Sequence, residues 1–446
     1  MSYDCLIHNA LVLTLEPGSA PLCGGYVAVQ GGKIAVVGPD PGPEARPPAR
    51  EYLDAQGGIV LPGLVNTHTH AAMVWFRGLA DDLPLKQWLT DFIFPAERGW
   101  LDAEKVYLGT LLAAAELIRG GVTTVADGYF FASAVRRALH DAGLRAVVAQ
   151  GVVDFPAPGV PDPRDNLRVA ADFLDSGGEL GPRLTSAIFC HSPYTCGPET
   201  LRKAKDLTRR QGVPFFLHLS ETREEVAEIR GKTGLSPVVY LDRLGVLDEL
   251  TVAVHAVWLT EEEQDLLARR GVKISHCPES SMKLAAGVAP VPELLSRGVT
   301  VGLGTDGAGS NNNLDLWGEM SMTARLHKVW LHDPTVLPAA QVVALATREG
   351  GKVLGLEGRV GLLTPGAEAD LIVLKAAQPH LTPMFDPFSH LVYAARAGDV
   401  EHVMVGGRWL LRNRQLTTLD WPEIARRVRA GSRELAAFCQ KLRARP

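Results

Sequence analysis

Eight short apolar runs alternate with longer helical patterns between residues 59 and 364, and this alternation restricts the possible folds more than any other feature. The runs have the length of strands and occupy residues 59–67, 122–127, 146–153, 184–191, 215–219, 251–255, 272–276 and 299–304. Helical spacing of apolar residues occurs between or after them, at 103–119, 198–210, 261–270 and 339–354. Strands that alternate with helices pair in parallel. Eight repeats therefore predict a (β/α)8 TIM barrel of the α/β class, which we place at residues 61–364.

The two ends of the chain have a different pattern. Residues 3–60 and 365–420 contain short alternating apolar runs joined by the glycine pairs Gly31-Gly32 and Gly406-Gly407, which is typical of antiparallel hairpins. At 446 residues the chain is also longer than one barrel of roughly 250 residues. We predict a small β-sandwich domain built from residues 1–60 and 365–420, and a terminal helix at 421–446 packed on the surface.

Charge and cysteine content argue against several classes of protein. The net charge is −5, the pI is about 6.2 and no basic run occurs, so nucleic-acid binding is not expected. The six cysteines include no Cys-x-x-Cys pair, which argues against a disulfide scaffold and a zinc ribbon. The start of the chain has no basic region before its apolar residues, and no run of about 18 apolar residues follows. We expect a reduced, cytoplasmic protein without a membrane segment.

Polar side chains follow the predicted strands at their C-terminal ends, where barrel enzymes carry their active sites. His68 and His70 end the first strand one residue apart, so both imidazoles can lie on the same side of it. The later strand ends carry His191, His218, Glu221, His255, His276 and Asp306. Each of these alone is more often a hydrogen-bonded buried group than a ligand. Their shared placement favours a divalent metal bound by imidazoles and a carboxylate, with one position left for water.

Motifs of other enzyme classes are misplaced or missing. Residues 302–307 fit Gly-x-Gly-x-x-Gly, but they follow the last predicted barrel strand and do not open a dinucleotide-binding unit. The sequence contains no His-Glu-x-x-His helix and no Pro-Cys-x-x-Cys segment. A zincin and a deaminase of the cytidine-deaminase type are therefore not indicated.

Several segments resemble the amidohydrolase superfamily, and within it they are most similar to the 5'-methylthioadenosine/S-adenosylhomocysteine deaminases. The segments are Pro62-Gly63-Leu64-Val65-Asn66-Thr67-His68-Thr69-His70, Asp81-Asp82-Leu83-Pro84-Leu85, His218-Leu219-Ser220-Glu221-Thr222, His276-Cys277-Pro278-Glu279-Ser280-Ser281-Met282-Lys283-Leu284 and Gly304-Thr305-Asp306-Gly307. The resemblance covers nearly the whole chain. Its metal-binding part is specific, because the ligands match in type, order and strand position. Its substrate part is looser, since triazine, guanine and pterin hydrolases share the same ligands.

The resemblance implies a role for each matched residue. The implied ligands of one divalent ion, with zinc expected, are His68, His70, His218 and Asp306. The implied catalytic residues are Glu221, His255 and Asp306. The implied substrate contacts are Trp88, Glu97, His191 and Glu221. A single ion is implied because residues 184–197 contain no lysine, which binuclear relatives carry there, and Gln150 lies in the region where some relatives use an arginine.

The expected function is hydrolytic deamination of an adenosine-type nucleoside, such as 5'-methylthioadenosine, S-adenosylhomocysteine or adenosine, to the inosine analogue and ammonia. Glu221 would protonate the ring nitrogen, Asp306 would accept a proton from water and His255 would hold the nucleophile. Trp88 and Glu97 lie in the long segment after the first strand and can contact base and ribose. The alternatives are deamination or dechlorination of another heterocycle (guanine, a pterin or a triazine) and a catalytically silent barrel. The expected partners are the nucleoside and water; the identity of the metal and a homo-oligomeric state are left open.

Overall fold

The computed structural model describes residues 2–178 and 180–443. In chain order its strands are β1 Tyr3–Val12, β2 Leu22–Gln30, β3 Lys33–Pro39, β4 Ala49–Asp54, β5 Ile59–Pro62, β6 Leu64–Thr69, β7 Val122–Tyr129, β8 Arg145–Val152, β9 Leu184–Cys190, β10 Phe215–Leu219, β11 Thr251–His255, β12 Lys273–His276, β13 Val301–Leu303, β14 Leu371–Leu374, β15 Val400–Val405, β16 Arg408–Arg412 and β17 Gln415–Leu416.

The helices alternate with the strands through the middle of the chain. They are α1 Leu85–Gln87, α2 Phe94–Trp100, α3 Ala103–Arg119, α4 Ala132–Ala142, α5 Asn166–Asp175, α6 Pro198–Gln211, α7 Arg223–Thr233, α8 Pro237–Arg243, α9 Glu261–Arg270, α10 Pro278–Lys283, α11 Val291–Ser296, α12 Leu316–Leu331, α13 Ala339–Leu345, α14 Arg348–Val353, α15 Pro387–Tyr393 and α16 Trp421–Arg443. A π-helical stretch, Trp88–Ile93, joins α1 to α2, and a 3-10 turn, Ala71–Phe76, follows β6. No helix among the described residues has the length and apolar character needed to cross a membrane.

Strands β6 to β13 form the predicted barrel. They lie in one eight-stranded sheet in chain order, and every neighbouring pair is parallel. The first and last strands meet through backbone bonds, since the amides of Thr305 and Asp306 both donate to the carbonyl of His68 at 3.1 Å. The barrel is therefore joined at the C-terminal ends of its strands, beside the predicted site.

The remaining strands form the small β unit that the sequence predicts from both chain ends. It is a nine-stranded mixed sheet with the order β17-β16-β15-β14-β5-β1-β2-β3, in which β4 also pairs with β1. Trp409 on β16 donates from its indole to Glu51 on β4, although β15, β14, β5 and β1 separate these strands within the sheet. The sheet is therefore curled, and its two halves share one apolar core that includes Val27 on β2 and Met404 on β15.

One predicted strand, residues 59–67, is two strands in the structure. β5 pairs with β1 and β14 of the small sheet, whereas β6 pairs with β7 of the barrel. Gly63 lies between them, and a Cβ atom there would be 2.1 Å from the side chain of Thr123. Where the chain passes from one sheet to the other it lies so close to β7 that no residue larger than glycine fits.

Two helical predictions extend beyond a single helix or beyond the described chain. The pattern at 339–354 is interrupted at Thr347, which separates α13 from α14 with a non-helical backbone. The predicted terminal segment 421–446 contains α16, while its residues 444–446 lie outside the described residues, as do Met1 and Glu179. The domain bounds at residues 60, 364 and 420 stay a prediction.

Candidate metal centre and active-site cavity

The four predicted metal ligands lie together at the C-terminal ends of the barrel strands. His68 is on β6, His70 directly follows it, His218 is on β10 and Asp306 follows β13. Each offers one ligand atom, and these atoms lie within 4.8 Å of one another. The three imidazoles pack around Phe189 on β9, with ring centroids 4.8 to 5.7 Å from its ring. A cluster of this size and composition suits one divalent ion.

The hydrogen bonds of the histidines show which ring nitrogens are available. His70 Nδ1 is 2.6 Å from the carbonyl oxygen of Gly128, which can only accept, so Nδ1 carries the proton and Nε2 presents its lone pair. His68 Nε2 is buried and makes no hydrogen bond within the described residues. Burial lowers the pKa of His70 to about 4 and that of His218 well below its usual range. Both rings are therefore neutral near pH 7, the form that binds metals.

Asp306 is held in its charged form. Its Oδ2 accepts the hydroxyls of Ser280 and Ser310, both at 2.7 Å, and its Oδ1 accepts the amide of Gly307. Burial would raise the pKa of Asp306, but its interaction with His68 holds that pKa well below the usual range. Its Oδ1 lies 3.3 Å from His68 Nε2 and 3.4 Å from His70 Nε2. Carboxylate and imidazole lone pairs thus converge, and a bound cation would satisfy them together.

Glu221 and His255 lie beside this cluster. Glu221 follows β10, His255 ends β11, and Glu221 Oε1 is 3.7 Å from His255 Nε2. Burial, and then the charge of Asp306, raise the pKa of Glu221 to about 8. Glu221 does not cap the helix that follows it, because Thr222 is the N-cap of α7. A buried carboxyl group that keeps its proton at neutral pH is suited to general acid chemistry.

Several residues around the cluster have a left-handed backbone conformation, which is rare for residues other than glycine. The φ angle is +51° at Ser220, +72° at His255, +49° at Ala256 and +59° at Asp306. All four residues lie at or just after the ends of β10, β11 and β13. A left-handed conformation costs free energy in residues other than glycine. It persists where the surrounding structure requires it, which is often at functional sites.

A cavity opens above the cluster and contains the predicted substrate contacts. Its lining includes Trp88, Phe94, Glu97, Tyr129 and His191. Glu97 Oε1 accepts the hydroxyl of Tyr129 at 2.6 Å, and burial raises the pKa of Glu97 to about 7 although this bond opposes the shift. The segment after β6 thus brings an aromatic ring and a carboxyl group over the metal cluster, where it covers the mouth of the barrel.

His191 lies between the metal cluster and the outer part of the cavity. It directly follows β9, and its ring centroid is 4.9 Å from that of His218. Its Nδ1 lies 3.2 Å from Ser192 Oγ and 3.1 Å from Thr195 Oγ1. Burial lowers the pKa of His191 to about 3, so the ring is neutral and can exchange a hydrogen bond with a substrate.

Two polar residues singled out in the sequence lie apart from the cavity lining. The Gln150 amide accepts from the backbone of Ala132 and donates to Gly151, so it does not replace an arginine in the cavity. His276, at the end of β12, is not among the four clustered ligands, and its ring packs 5.4 Å from His327.

Several residues of the site were not identified from the sequence. Tyr129 was missed because the second strand was predicted to end at residue 127, two residues before the last residue of β7. Ser280 and Ser310, the partners of Asp306, carry no local signal that distinguishes them from other serines. Ser280 does lie within one of the segments that carry the superfamily resemblance.

The parallel barrel and the cluster of three histidines and an aspartate at its C-terminal strand ends are those of a metal-dependent hydrolase of the amidohydrolase type. The chain belongs to the amidohydrolase family, whose sequence profile matches residues 59–410.

Individual relatives resemble the chain over nearly its whole length. A protein of Syntrophobacter fumaroxidans named 5-methylthioadenosine/S-adenosylhomocysteine deaminase is 48% identical over 426 residues, which cover 96% of this chain and 97% of that one. A 5'-deoxyadenosine deaminase of Methanothermobacter thermautotrophicus is 45% identical over 87% of this chain and 90% of its own. The crystal structure of an adenosine deaminase from Xanthomonas campestris with bound zinc superimposes with a TM-score of 0.95 at 35% identity, over 98% and 99% of the two chains.

Proposed function

We propose that this protein is a zinc-dependent hydrolytic deaminase that converts adenosine-type nucleosides and water to the inosine analogue and ammonia. The observation that carries this conclusion is the position of Glu221. Its buried carboxyl group, with a raised pKa, lines the same cavity as three of the four clustered side chains, Trp88 and Glu97. The names of relatives that are 45% to 48% identical support an adenosine derivative as substrate.

The four clustered side chains fit a zinc ion by their chemistry. His68, His70 and His218 would supply neutral nitrogens, and Asp306 would supply one oxygen, which is a usual donor set for this metal. A divalent ion at such a position acidifies water, so that a nucleophile is available near neutral pH.

Glu221 would act on the substrate ring. Because its pKa is raised to about 8, it carries a proton at neutral pH and can donate that proton to the ring nitrogen beside the amino-bearing carbon. Protonation makes this carbon more electrophilic. After attack by water, the first proton lost by that water would pass to the amino group, which leaves as ammonia. The second would return to Glu221, and the oxygen of water remains on the ring.

Asp306 and His255 would complete the proton transfers. Asp306 is the ionised carboxyl group of the site and would receive a proton from the attacking water. Burial lowers the pKa of His255, whose neutral ring lies close enough to Glu221 to orient the nucleophile between them.

Trp88 and Glu97 would select a nucleoside over a free base. An indole face can stack on a purine, and the carboxylate of Glu97 has acceptor sites beyond the one used by Tyr129 for the two hydroxyls of a ribose.

We propose a cytoplasmic location as well. The six cysteines are all free thiols, and free thiols persist in a reducing compartment.

The experiment is a comparison of ammonia release by the zinc-loaded protein from nucleosides and from free bases. We expect 5'-methylthioadenosine, 5'-deoxyadenosine and adenosine to be turned over at least ~10-fold faster than adenine, guanine, a pterin or a chlorinated triazine, because only the nucleosides use Glu97. A protein that prefers guanine or a triazine would move the assignment to the alternative heterocycles.

Replacement of Glu97 is the matched control. Glu97→Ala should reduce kcat/KM for ribonucleosides by ~5- to 150-fold, equivalent to ~1–3 kcal/mol, and should spare the slow reaction of free bases. Equal losses on both kinds of substrate would show that Glu97 does not read the ribose.

A further inference from the structure

The helix that follows Glu221 begins with the same residue pattern as the helix that follows His255. At α7 the pattern is Thr222-Arg223-Glu224-Glu225, and at α9 it is Thr260-Glu261-Glu262-Glu263. Both threonines are N-caps, and in both helices the glutamate three residues later is buried, with 4% exposure at Glu225 and 5% at Glu263. A threonine followed by glutamate at this spacing usually forms a reciprocal capping box.

At α9 the structure has the ordinary capping box. The hydroxyl of Thr260 accepts the amide of Glu263 at 3.3 Å, and Glu263 Oε2 accepts the amide of Thr260 at 2.8 Å. Glu263 therefore accepts a hydrogen bond from the N-cap residue through one oxygen, and this bond stabilises only the end of the helix.

At α7 the glutamate reaches further back along the chain. The hydroxyl of Thr222 again accepts the amide of Glu225, at 3.1 Å. The two carboxylate oxygens, however, bypass the N-cap. Oε1 accepts the amide of Ser220 at 2.9 Å, and Oε2 accepts the amide of Glu221 at 2.7 Å. Both oxygens are thus used on the two residues that lead from the end of β10 into the site.

These two residues need such support. Ser220 has a left-handed backbone with a φ of +51°, and its carbonyl accepts the amides of Val257 and Trp258, just after His255. Glu221 directs its carboxyl group to within 3.7 Å of His255. A shift of the Ser220 and Glu221 backbone would therefore alter the spacing of Glu221 and His255.

We propose that Glu225 is a positioning residue for proton transfer: its carboxyl group accepts the amides of Ser220 and Glu221 and thereby aims the Glu221 carboxyl group at the substrate. The inference rests on the proposed function, because it assigns Glu225 an effect that passes through Glu221. Glu225 has no direct role in the chemistry, and it is not one of the metal ligands.

The first test compares Glu225→Gln with Glu263→Gln. Glutamine preserves size and one acceptor, which suffices for the single bond at Glu263, but at Glu225 it places an amide NH2 against a backbone N–H. We expect Glu225→Gln to keep about one metal ion per chain and the wild-type KM, and to lose roughly 10²-fold in kcat, as misplacement of a reacting group does. Glu263→Gln should match the wild type in all three.

The second test measures the backbone directly and does not depend on activity. Hydrogen–deuterium exchange of a peptide that contains residues 219–222 should be faster in Glu225→Gln than in the wild type. The amides of Ser220 and Glu221 each donate to one oxygen of Glu225, and glutamine has only one such oxygen. The same peptide should be unchanged in Glu263→Gln. If Glu225→Gln does not fold, Glu225→Asp, which keeps the carboxyl group but is too short to reach both amides, is measured in its place.

The third test separates positioning from general stability. If Glu225 acts only through Glu221, Glu225→Gln should cause no further loss of rate in a Glu221→Gln background. Full additivity in this double-mutant cycle, an unchanged kcat, or unchanged exchange at residues 219–222 would each overturn the proposal. Failure of the wild type to deaminate any nucleoside would instead contradict the proposed function, and it would leave the exchange measurement valid.

Discussion

Two buried carboxyl groups in one site are held in opposite protonation states by their surroundings. Asp306 receives two serine hydroxyls and a backbone amide and faces two imidazoles, whereas burial dominates at Glu221. The pKa of Asp306 therefore lies well below its usual range, and that of Glu221 is raised to about 8. Such a separation agrees with the proposed roles of Glu221 as acid and Asp306 as base.

The protonation of Glu221 predicts a pH dependence. Glu221 must carry its proton to act as an acid, so kcat/KM should be high below its pKa and should fall as pH rises through about 8. A bound cation attracts the carboxylate, which moves this midpoint to a lower pH. The measurement is the pH profile of kcat/KM for 5'-methylthioadenosine; an activity that rises through pH 8 would contradict the assignment.

At the residue scale, the positions of the candidate ligands at strand ends were predictable from the sequence, and the choice of these four came from the superfamily resemblance. Their hydrogen-bond partners were not predictable. His68, His70, His218 and Asp306 lie at strand ends, and strand ends can be recognised from local apolar runs. Tyr129 donates to Glu97, but nothing in the sequence around Tyr129 distinguishes it from other strand residues. The contact forms because the segment that carries Glu97 folds back over the barrel. Such a contact depends on tertiary structure and leaves no local pattern.

Among the elements, β13 and the residue after it pack closely against β6, which carries the ligand His68. Gly302 and Gly304 belong to the segment that resembles a dinucleotide-binding motif, yet both serve close packing. A Cβ atom at Gly302 would lie 2.6 Å from the Thr67 side chain, and one at Gly304 would lie 2.8 Å from the Cβ of His68. These glycines let the last barrel strand approach the first, which closes the barrel beside the metal site.

This packing predicts the effect of Gly304→Ala. The added methyl group would also lie 2.9 Å from the backbone nitrogen of His68, which cannot move aside without moving the ligand. We expect a loss of ~1–3 kcal/mol in the free energy of unfolding and weaker metal binding, measured by denaturation and by metal titration. Gly231→Ala in α7, where a Cβ atom meets nothing within 4 Å, is the control: it should leave metal binding unchanged and raise the free energy of unfolding by up to ~1 kcal/mol, because alanine is the better helix former. A Gly304→Ala protein with wild-type metal affinity would show that the strand can shift freely.

Elements with clear end signals were predicted to the residue. Helix α3 begins after the N-cap Asp102 and α9 after Thr260, and a glycine follows the last residue of each. The predictions that failed are those at Gly63 and Thr347, where one continuous apolar pattern is divided between two elements. Periodicity does not reveal which sheet or helix will receive each part.

For the whole molecule, a buried ion pair joins the barrel to the small sheet. Arg145, the first residue of β8, donates to Asp370 at 2.7 Å and to Glu368 at 3.0 Å, and Arg145 and Asp370 are each 2% exposed or less. The pair lies at the N-terminal ends of the barrel strands, opposite the metal site. It connects the two units without a part in the proposed chemistry.

Removal of this pair should therefore affect stability alone. Arg145→Ala leaves the Asp370 carboxylate buried without its cation, which should cost ~3–5 kcal/mol in the free energy of unfolding. The KM of the folded fraction should stay at the wild-type value. Arg164→Ala, which removes an exposed pair with Asp162, should leave the free energy of unfolding nearly unchanged. Urea denaturation of the two variants tests this, and equal costs would mean that the buried pair does not join the units.

The account as a whole depends on one assignment, that the proton donor to the substrate, Glu221, is not one of the four metal ligands. The measurement that tests it most directly is metal content and ammonia release on the same preparation of Glu221→Gln. We predict about one zinc ion per chain, as in the wild type, and a kcat lower by ~10²- to 10⁴-fold, because the amide cannot donate the proton. A variant that has lost its metal, or one that keeps a rate within tenfold of the wild type, would contradict this assignment.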